Sequence, residues 1–199
     1  IFHFHCPENR EKKNCRLLVS AGSSSPKVHL TEQNRENPAV APNFCMLLRK
    51  HIAGSRIVEI EQPGLERVLM IMFEAKTEMY ETVRRRLIIE ILGRYSNVIF
   101  TDGEGQIYDS LRQVDFSASV GRSILPGLRY ELPPAQDKRN LLAFETEDLL
   151  DFHSEQRLDH YLVSEFVGVS PLFARECSFL CTGRTDARLN ELSEGEKEN

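Results

Sequence analysis

Glu66 and Arg67 place a carboxylate and a guanidinium side by side, directly before the apolar run at residues 68–73. A guanidinium can bind a phosphate or the edge of a base, and a carboxylate can accept hydrogen bonds from the amino group of a base. The pair could therefore contact a nucleic acid. The alternative is an intramolecular salt bridge, which contributes little to stability where it is exposed to solvent.

Two groups of basic residues could face a phosphate backbone. The first surrounds the end of a predicted helix and the second includes three consecutive arginines: Arg49, Lys50, His51 and Arg56, and then Arg84, Arg85, Arg86 and Arg94. On a strand, Arg84 and Arg86 would share one face and form a row of positive charge. The alternative is solvated surface charge, with the first group placed favourably at a helix C-terminus.

The sequence Phe-Val-Gly-Val-Ser-Pro at residues 166–171 has the form of the turn in a helix-hairpin-helix. In such a turn the glycine permits close backbone approach, and the amides that begin the next helix can face a phosphate. Gly168 and Ser170 are therefore candidates for contacts to a nucleic-acid backbone, which would carry no sequence information. A helix corner that only packs against its neighbours fits the same residues.

Neither the histidines nor the glycines form a catalytic or metal-binding motif. None of the six histidines lies in an H-E-x-x-H sequence, and no G-x-S-x-G, Walker or G-x-G-x-x-G motif occurs. His3 and His5 would share a strand face, but they have no third ligand nearby in the sequence. The sequence thus indicates no catalytic residue, no cofactor and no metal.

The five cysteines are an odd number and include no C-x-x-C motif. Cys177 and Cys181 are one helical turn apart, without histidine partners nearby. This pattern is typical of free thiols in a reducing cytoplasm, so we expect neither a disulfide nor a structural metal.

Composition limits how the protein could bind nucleic acid and where it could act. The 199 residues are 41% hydrophobic and 28% charged, as in an ordinary globular protein, and the formal net charge is −5. Any contact to nucleic acid must therefore use a local basic patch. No apolar run is long enough for a transmembrane helix, so we expect a soluble, cytoplasmic protein without a membrane partner.

The elements that would position these residues are mostly strands. Apolar segments between turn signals predict short strands, at residues 1–5, 15–20, 27–30, 57–60, 68–73, 98–100 and 106–111. Gly, Pro and Asn predict tight turns between several of them, at residues 63–64, 93–97 and 102–105. One helix is predicted among the strands, at residues 43–53, between Pro42 and Gly54.

The segment at residues 82–91 fits two structures. Leu87 and Ile91 have helical spacing, whereas Leu87, Ile89 and Ile91 would share one face of a strand. A strand is predicted, because the turn at residues 93–97 would then join two strands of similar length. Repeated short strands with tight turns predict an antiparallel sheet or sandwich.

Composition changes after Pro133 and Pro134, which mark the best candidate for a domain boundary. Helical patterns follow, at residues 146–152 with Thr146 as N-cap, at residues 157–166, and from Ser170 onward with Pro171 in the first turn. The chain is therefore predicted to be α+β, with a β-rich domain at residues 1–135 and a helical domain at residues 136–199. The β-rich domain is expected to lack its first part, because the chain opens within a predicted strand.

Six segments stand out in order along nearly the whole chain: L-L-V-S-A at 17–21, F-C-M-L-L-R-K-H-I at 44–52, I-E-Q-P-G-L-E-R at 60–67, E-I-L-G-R-Y-S-N-V-I-F-T-D at 90–102, L-P-G-L-R-Y-E-L-P-P-A-Q-D-K at 125–138 and G-V-S-P-L-F-A-R-E at 168–176. Together they resemble the N-terminal NFACT-N module of the RqcH/NFACT family. This family includes the NEMF-like proteins of eukaryotes, and its older name is fibronectin-binding protein A (FbpA-like).

The resemblance implies a fold like that of formamidopyrimidine-DNA glycosylases, a β-sandwich N-domain followed by a helix-hairpin-helix-like domain, without their catalytic proline and zinc finger. It implies a function in ribosome-associated quality control, with binding to rRNA of obstructed large ribosomal subunits and to peptidyl-tRNA. Alanine tRNA would be recruited for C-terminal alanine tailing of the stalled chain. Because the ribosome performs the peptidyl transfer, the module is expected to be a binding component of protein biosynthesis and not an enzyme.

The resemblance also assigns Glu66 and Arg67 to tRNA binding, since they match an acidic–arginine pair of the family. Members commonly carry aspartate at the first position, so the longer glutamate keeps the charge and changes its reach. Two alternative functions stay open: a surface adhesin that binds fibronectin, and a nucleic-acid-binding module or enzyme of glycosylase-like fold. The second has no candidate nucleophile in this sequence, and a shared fold does not by itself transfer function.

Overall fold

The computed structural model describes residues 1–6, 14–115, 121–143 and 154–197. The chain divides into two compact units, the first made of Ile1–Pro63 and Arg67–Pro134 and the second of Gly64–Glu66 and Ala135–Asn199. Antiparallel sheets dominate the first unit and helices the second. The α+β class predicted from the sequence is therefore confirmed.

A three-stranded antiparallel sheet opens the first unit, with the strand order β1-β2-β3. Its strands are β1 Phe2–His5, β2 Asn14–Ser20 and β3 Lys27–Leu30. The predicted hairpin is confirmed, because Phe2 pairs with Leu17 and Phe4 pairs with Cys15. The part of its turn at residues 7–13 lies outside the described residues.

A five-stranded antiparallel meander forms the second sheet, in the order β4-β5-β6-β7-β8. Its strands are β4 Arg56–Glu61, β5 Val68–Lys76, β6 Thr82–Glu90, β7 Asn97–Asp102 and β8 Ile107–Ser110. β6 confirms the strand predicted at residues 82–91. Leu87, Ile88 and Ile89 are all fully buried, which requires apolar contacts on both faces of the segment, whereas an amphipathic helix would bury a single stripe.

Helix α1, Asn43–Ile52, confirms the helix predicted at residues 43–53. Its apolar stripe is Phe44, Leu48 and Ile52, and burial of each side chain stabilises the fold by about 1.5–3 kcal/mol. The stripe packs in one core with Ala21, which directly follows β2, and with meander residues, namely Ile71, Phe73, Leu87, Ile89, Val98 and Phe100; Leu17, Val19 and Val28 of the three-stranded sheet pack against this core. This core fixes the position of α1 on the same face of the meander as the three-stranded sheet.

The opposite face of the meander has a separate apolar cluster, made of Val68, Ile88, Ile99, Ile107 and Ile124. The segment at residues 121–134 covers this face and is tied to the strands by backbone hydrogen bonds. Ile107 N donates to Leu128 O at 2.8 Å, and Tyr130 N donates to Gly105 O at 2.8 Å. The meander is therefore covered on both faces, which explains the continuous apolar run in β6.

The second unit contains α2 Leu158–Glu165, α3 Pro171–Thr182 and the short α4 Glu194–Lys197. The helices predicted at residues 157–166 and from residue 170 onward are confirmed, and the one predicted at residues 146–152 lies outside the described residues. The core of this unit is Leu158, Ala187, Leu189 and Leu192. Across the part of the chain that the structure describes, the helices are too short and too polar to span a bilayer.

Candidate nucleic-acid interface

Arg67 lies immediately before β5, at the end of the meander where β5 begins and β6 finishes. Its backbone oxygen accepts a hydrogen bond from Ile91 N at 2.8 Å, which continues the register that pairs Val68 with Glu90. Arg67 is exposed and Glu66 is half-buried. The guanidinium is therefore open to solvent at a sheet end, and its function in tRNA binding stays a prediction.

The turn that follows β6 lies at the same end of the sheet as Arg67, because it begins directly after Ile91. It contains a 3-10 helix, Gly93–Tyr95. Within this turn the Arg94 guanidinium lies 4.7 Å from the centroid of the Tyr95 ring, and Nη2 of Arg94 donates to the Tyr95 hydroxyl at 2.6 Å. Both side chains are exposed, so the turn adds a cation and an aromatic ring at the same sheet end as Arg67.

Arg112 adds a further cation to this end of the sheet. Its Nη1 donates to Arg94 O at 3.2 Å, and its Nη2 donates to Ala21 O at 2.9 Å. Asn97 fixes the backbone at Arg112, donating to its oxygen at 2.7 Å and accepting from its N–H at 3.0 Å. Arg67, Arg94, Tyr95 and Arg112 are called the Arg67 cluster below.

Tyr95 and Arg112 are not among the site residues predicted from the sequence. Tyr95 occupies one position in a turn signal that was used only to place strands, and Arg112 is a single arginine without basic neighbours. An aromatic residue directly after Arg94 within a turn is the one sequence feature that could have indicated Tyr95. No local signal marks Arg112, because its contact with Ala21 joins residues 91 positions apart.

Arg84 and Arg86 lie toward the other end of β6, where they are opposite Glu74 and Met72 of β5. Arg84 is exposed, Arg86 is half-buried, and the strand alternation gives both residues one face, as predicted. Arg84 and Glu90 are six residues apart on β6, which is roughly 20 Å of extended strand. The second basic group of the sequence is therefore divided, with Arg94 at the opposite end of the strand from Arg84.

The basic end of α1 lies near the Arg84 end of the meander. Arg49 and Lys50 are exposed in the last turn, and the His51 ring stacks on Tyr108 at 5.6 Å. Arg85 lies over the same tyrosine, with its guanidinium carbon 5.1 Å from the ring centroid. Burial, together with the charges of Arg85 and Lys50, lowers the pKa of His51, which favours its neutral form.

Gly168 and Ser170 lie in the turn between α2 and α3. Gly168 has φ +82°, and a Cβ at this position would be 3.0 Å from the Cβ of Leu65. Ser170 is the N-cap of α3, where its Oγ accepts from Phe173 N at 3.2 Å. The glycine thus permits the close approach of Leu65, and the Ser170 oxygen already serves the first turn of α3. A function of either residue in nucleic-acid binding stays a prediction.

The possible metal ligands within the described ranges are scattered. In those ranges, no three histidine, cysteine or carboxylate side chains are grouped so that they could hold a metal ion. The five cysteines are free thiols, and the sulfur atoms of Cys6 and Cys15 are 3.8 Å apart. Binding through arginines and an aromatic ring is the chemistry that the arrangement supports best.

Comparison with known proteins gives consistent matches over most of the chain. The family model described as NFACT N-terminal and middle domains matches residues 5–199. A Bacillus subtilis (strain 168) protein named Rqc2 homolog RqcH is 46% identical over 179 residues, which are 88% of this chain and 31% of that protein. The chain therefore spans about a third of the length of this relative.

Two solved structures share the fold. The N-terminal domain of the fibronectin-binding protein PavA from Streptococcus pneumoniae has a TM-score of 0.78 and 31% identity, over 87% of this chain and 65% of that one. The N-terminal part of the fibronectin/fibrinogen-binding protein from Streptococcus suis has a TM-score of 0.76 and 34% identity, over 88% of this chain and 67% of that one.

Proposed function

The chain belongs to the family of NFACT N-terminal and middle domains, and from this membership we propose that it is an RNA-binding part of a ribosome-associated quality control factor. The Bacillus relative is named as an Rqc2 homolog, which supports a function in ribosome quality control. The observation that carries RNA binding is the exposed Arg67 at the end of the meander, the same sheet end at which the turn with Arg94 and Tyr95 lies.

In this proposal the full-length protein binds an obstructed large ribosomal subunit that still holds peptidyl-tRNA. It recruits alanine tRNA, so that the stalled nascent chain gains a C-terminal alanine tail. The ribosome carries out each peptidyl transfer, and the protein is a binding component rather than an enzyme. Because the chain spans 31% of its Bacillus relative, these activities are proposed for the whole protein.

Arg67 is the residue to which we assign the principal tRNA contact, with Glu66 beside it. An exposed guanidinium can form two parallel hydrogen bonds with a phosphate or with a guanine edge. A carboxylate next to it repels phosphate but can accept from a base amino group, which favours contact with an exposed base. Since the net charge is −5, attraction to RNA must come from local cations, and Arg94 and Arg112 increase the positive charge at this end.

The turn between α2 and α3 supplies a second proposed contact, to a nucleic-acid backbone. We propose that the two helices form a helix-hairpin-helix-like pair, in which Gly168 permits close approach and the N-terminus of α3 after Ser170 faces a phosphate. The two sheets of the first unit would correspond to a glycosylase-type sandwich. Weaker backbone contacts are proposed for the basic residues at the other end of the meander, namely Arg49, Lys50, Arg84 and Arg86.

Sequencing of RNA that co-purifies with the full-length protein tests this function. We expect enrichment of large-subunit rRNA and of alanine tRNA over a purification from cells that carry the affinity tag alone. Arg67→Ala should reduce the share of tRNA relative to rRNA, because the ribosomal subunit offers contacts beyond this residue. RNA recovery equal to that of the tag-only control would contradict the proposal.

The names of the two solved relatives favour a second candidate function, binding to fibronectin. It requires the protein to be accessible on the cell surface, which antibody labelling of intact cells measures. Saturable binding of the purified full-length protein to immobilised fibronectin, together with surface labelling, would support it. Absence of labelling on intact cells, with strong labelling after lysis, would leave the ribosomal function as the better candidate.

A further inference from the structure

We propose that Tyr95 is a stacking surface for an unpaired nucleotide of RNA bound at Arg67. This inference rests on the proposed function, because it extends the contact of Arg67 to a second residue of the Arg67 cluster. Tyr95 would contact the face of a base, whereas Arg67 is expected to contact a phosphate or the edge of a base. The residues that support it all lie in the first unit. Tyr95 is exposed, its turn is rigid and cations lie near it.

The Tyr95 side chain is exposed although its turn is tightly held. Tyr95 is 54% exposed, whereas the next residue, Ser96, is fully buried. The Ser96 Oγ accepts from Leu92 N at 2.9 Å and donates to Gly93 O at 2.7 Å. A large apolar ring is therefore held in solvent by a turn whose backbone is fixed. Such a ring can bind a base with a small loss of conformational entropy.

The neighbouring arginines position the ring and supply charge for a phosphate. The Arg94 guanidinium lies 4.7 Å from the centroid of the Tyr95 ring, and Nη2 holds its hydroxyl at 2.6 Å. Arg112 fixes the Arg94 backbone through a hydrogen bond of 3.2 Å to its oxygen. Arg67 is exposed at the same sheet end. An aromatic ring among cations is the combination that binds single-stranded nucleic acid, through stacking and backbone attraction together.

Two other exposed tyrosines lack this combination. Tyr108 is 39% exposed, but its ring already contacts His51, Phe100 and the guanidinium of Arg85. Tyr80 is 83% exposed and lies in the turn between β5 and β6, at the opposite end of these strands from Arg67. Tyr95 is thus the tyrosine whose accessible ring contacts an arginine at the same sheet end as Arg67. Tyr80 is a control for exposure, because its ring is exposed at the opposite end of the strands.

The ligand class follows from this geometry. Stacking requires a base that is not already covered by neighbours in a helix, so the site would take a nucleotide in a loop or at a single-stranded end. Stacking alone tolerates every base, and any sequence preference would come from a base-edge contact of Arg67. The inference therefore predicts that loss of the ring weakens binding to tRNA and to single-stranded RNA, and leaves binding to duplex RNA nearly unchanged.

Titration of the full-length protein with three fluorescent RNAs tests the inference: bulk tRNA, a 12-nucleotide single strand and a duplex of the same sequence. We expect Tyr95→Ala to weaken tRNA and single-strand binding by roughly five- to hundredfold, the range typical of a base–aromatic stack. Tyr95→Phe should bind within about twofold of the parent, because it keeps the ring and loses only the hydroxyl contact to Arg94. Tyr80→Ala should bind like the parent protein.

The outcomes separate this inference from the function on which it rests. Weaker tRNA binding by Arg67→Ala with unchanged binding by Tyr95→Ala would overturn the stacking inference and keep the proposed function. Equal losses for Tyr95→Ala and Tyr95→Phe would also overturn it, since they would assign the effect to the hydroxyl contact with Arg94. If the parent protein binds none of the three RNAs, both proposals fail. Thermal unfolding of each variant excludes losses caused by misfolding.

Discussion

Arg122 donates hydrogen bonds to both carboxylate oxygens of Glu90, from Nη1 to Oε1 at 2.8 Å and from Nη2 to Oε2 at 2.7 Å. The Tyr130 hydroxyl donates a further bond to Oε1 at 2.8 Å. Glu90 ends the central strand β6 and is fully buried, so its charge depends on these two partners. Burial and then the charge of Glu90 raise the pKa of Tyr130, which keeps its hydroxyl protonated as a donor.

We predict that Arg122→Ala lowers the free energy of unfolding by about 3–5 kcal/mol, because it leaves a buried carboxylate without its cation. Urea denaturation measures the change. Arg56→Ala is the control, since Arg56 and Glu74 form an exposed pair at 4.0 Å whose loss should cost less than about 1 kcal/mol. Equal effects of the two substitutions would show that the Glu90 pair is not a principal attachment of the segment at residues 121–134.

A second prediction concerns acid stability of the helical unit. Burial raises the pKa of the Asp159 carboxyl, but hydrogen bonds and charge from Arg157 outweigh it, so the pKa is lower than usual. Nε and Nη2 of Arg157 each donate to this carboxylate at 3.0 Å. A lowered pKa means that the ionised group stabilises the fold above the ordinary aspartate pKa, and that this contribution is lost as the pH falls through the folded value.

Asp159→Asn should therefore be less stable than the parent at pH 7, and its stability should fall less steeply below about pH 4. Circular dichroism during urea unfolding at several pH values measures both effects. Glu155→Gln is the control, because Glu155 is exposed and lies 3.9 Å from Arg188. If the free energy of unfolding falls equally steeply with decreasing pH in the parent and in Asp159→Asn, other carboxylates determine acid unfolding.

A third prediction compares two glycine-to-alanine substitutions. The one at Gly183, which follows α3, introduces backbone strain alone, and the one at Gly168, in the turn between α2 and α3, adds a steric contact. Gly168 and Gly183 both have positive φ, at +82° and +68°, but only Gly168 has a close neighbour, Leu65 Cβ at 3.0 Å. Alanine at Gly183 should cost about 1–2 kcal/mol from the left-handed conformation alone. Alanine at Gly168 should cost more in the same thermal unfolding experiment. An equal cost would mean that Leu65 moves aside without penalty.

The sequence predicts those features of the fold that depend on local pattern. The alternation of Leu87 and Ile89 with a following turn is enough to predict β6 as a strand, and the face shared by Arg84 and Arg86 follows from the same alternation. Helix α1 is equally local, since Phe44 and Leu48 repeat at the helical period. In each case the information lies within one segment of the chain.

The contacts that define the candidate interface depend on pairings between distant segments. Arg84 and Arg94 are in one basic group in the sequence. In the structure they lie at opposite ends of β6, separated by most of the length of that strand. Glu90 and Arg122 are 32 positions apart, and a buried glutamate at the end of an apolar strand gives no indication of which arginine neutralises it. Such pairings follow only when the register of the sheet and the path of the covering loop are known.

The last prediction concerns the function of Arg67. Arg67→Ala in the full-length protein should weaken tRNA binding by roughly tenfold or more, since an arginine contact to phosphate or base contributes about 1–3 kcal/mol. Thermal unfolding should be nearly unchanged, because the hydrogen bond from Ile91 is to the backbone of Arg67 and survives the substitution. Fluorescence titration with tRNA measures affinity, with unfolding followed on the same samples.

Three further variants define how Arg67 acts. Arg67→Lys should restore binding only in part if the contact uses both terminal nitrogens, because an ammonium cannot reproduce the guanidinium fork. Glu66→Asp should be tolerated, since it restores the residue common in the family. Arg84→Ala removes an exposed arginine from the opposite end of β6, where only a weaker backbone contact is proposed, so it should reduce tRNA affinity less than Arg67→Ala. If Arg67→Ala lowers the melting temperature and leaves tRNA affinity unchanged, Arg67 is a structural salt-bridge residue and not an RNA contact.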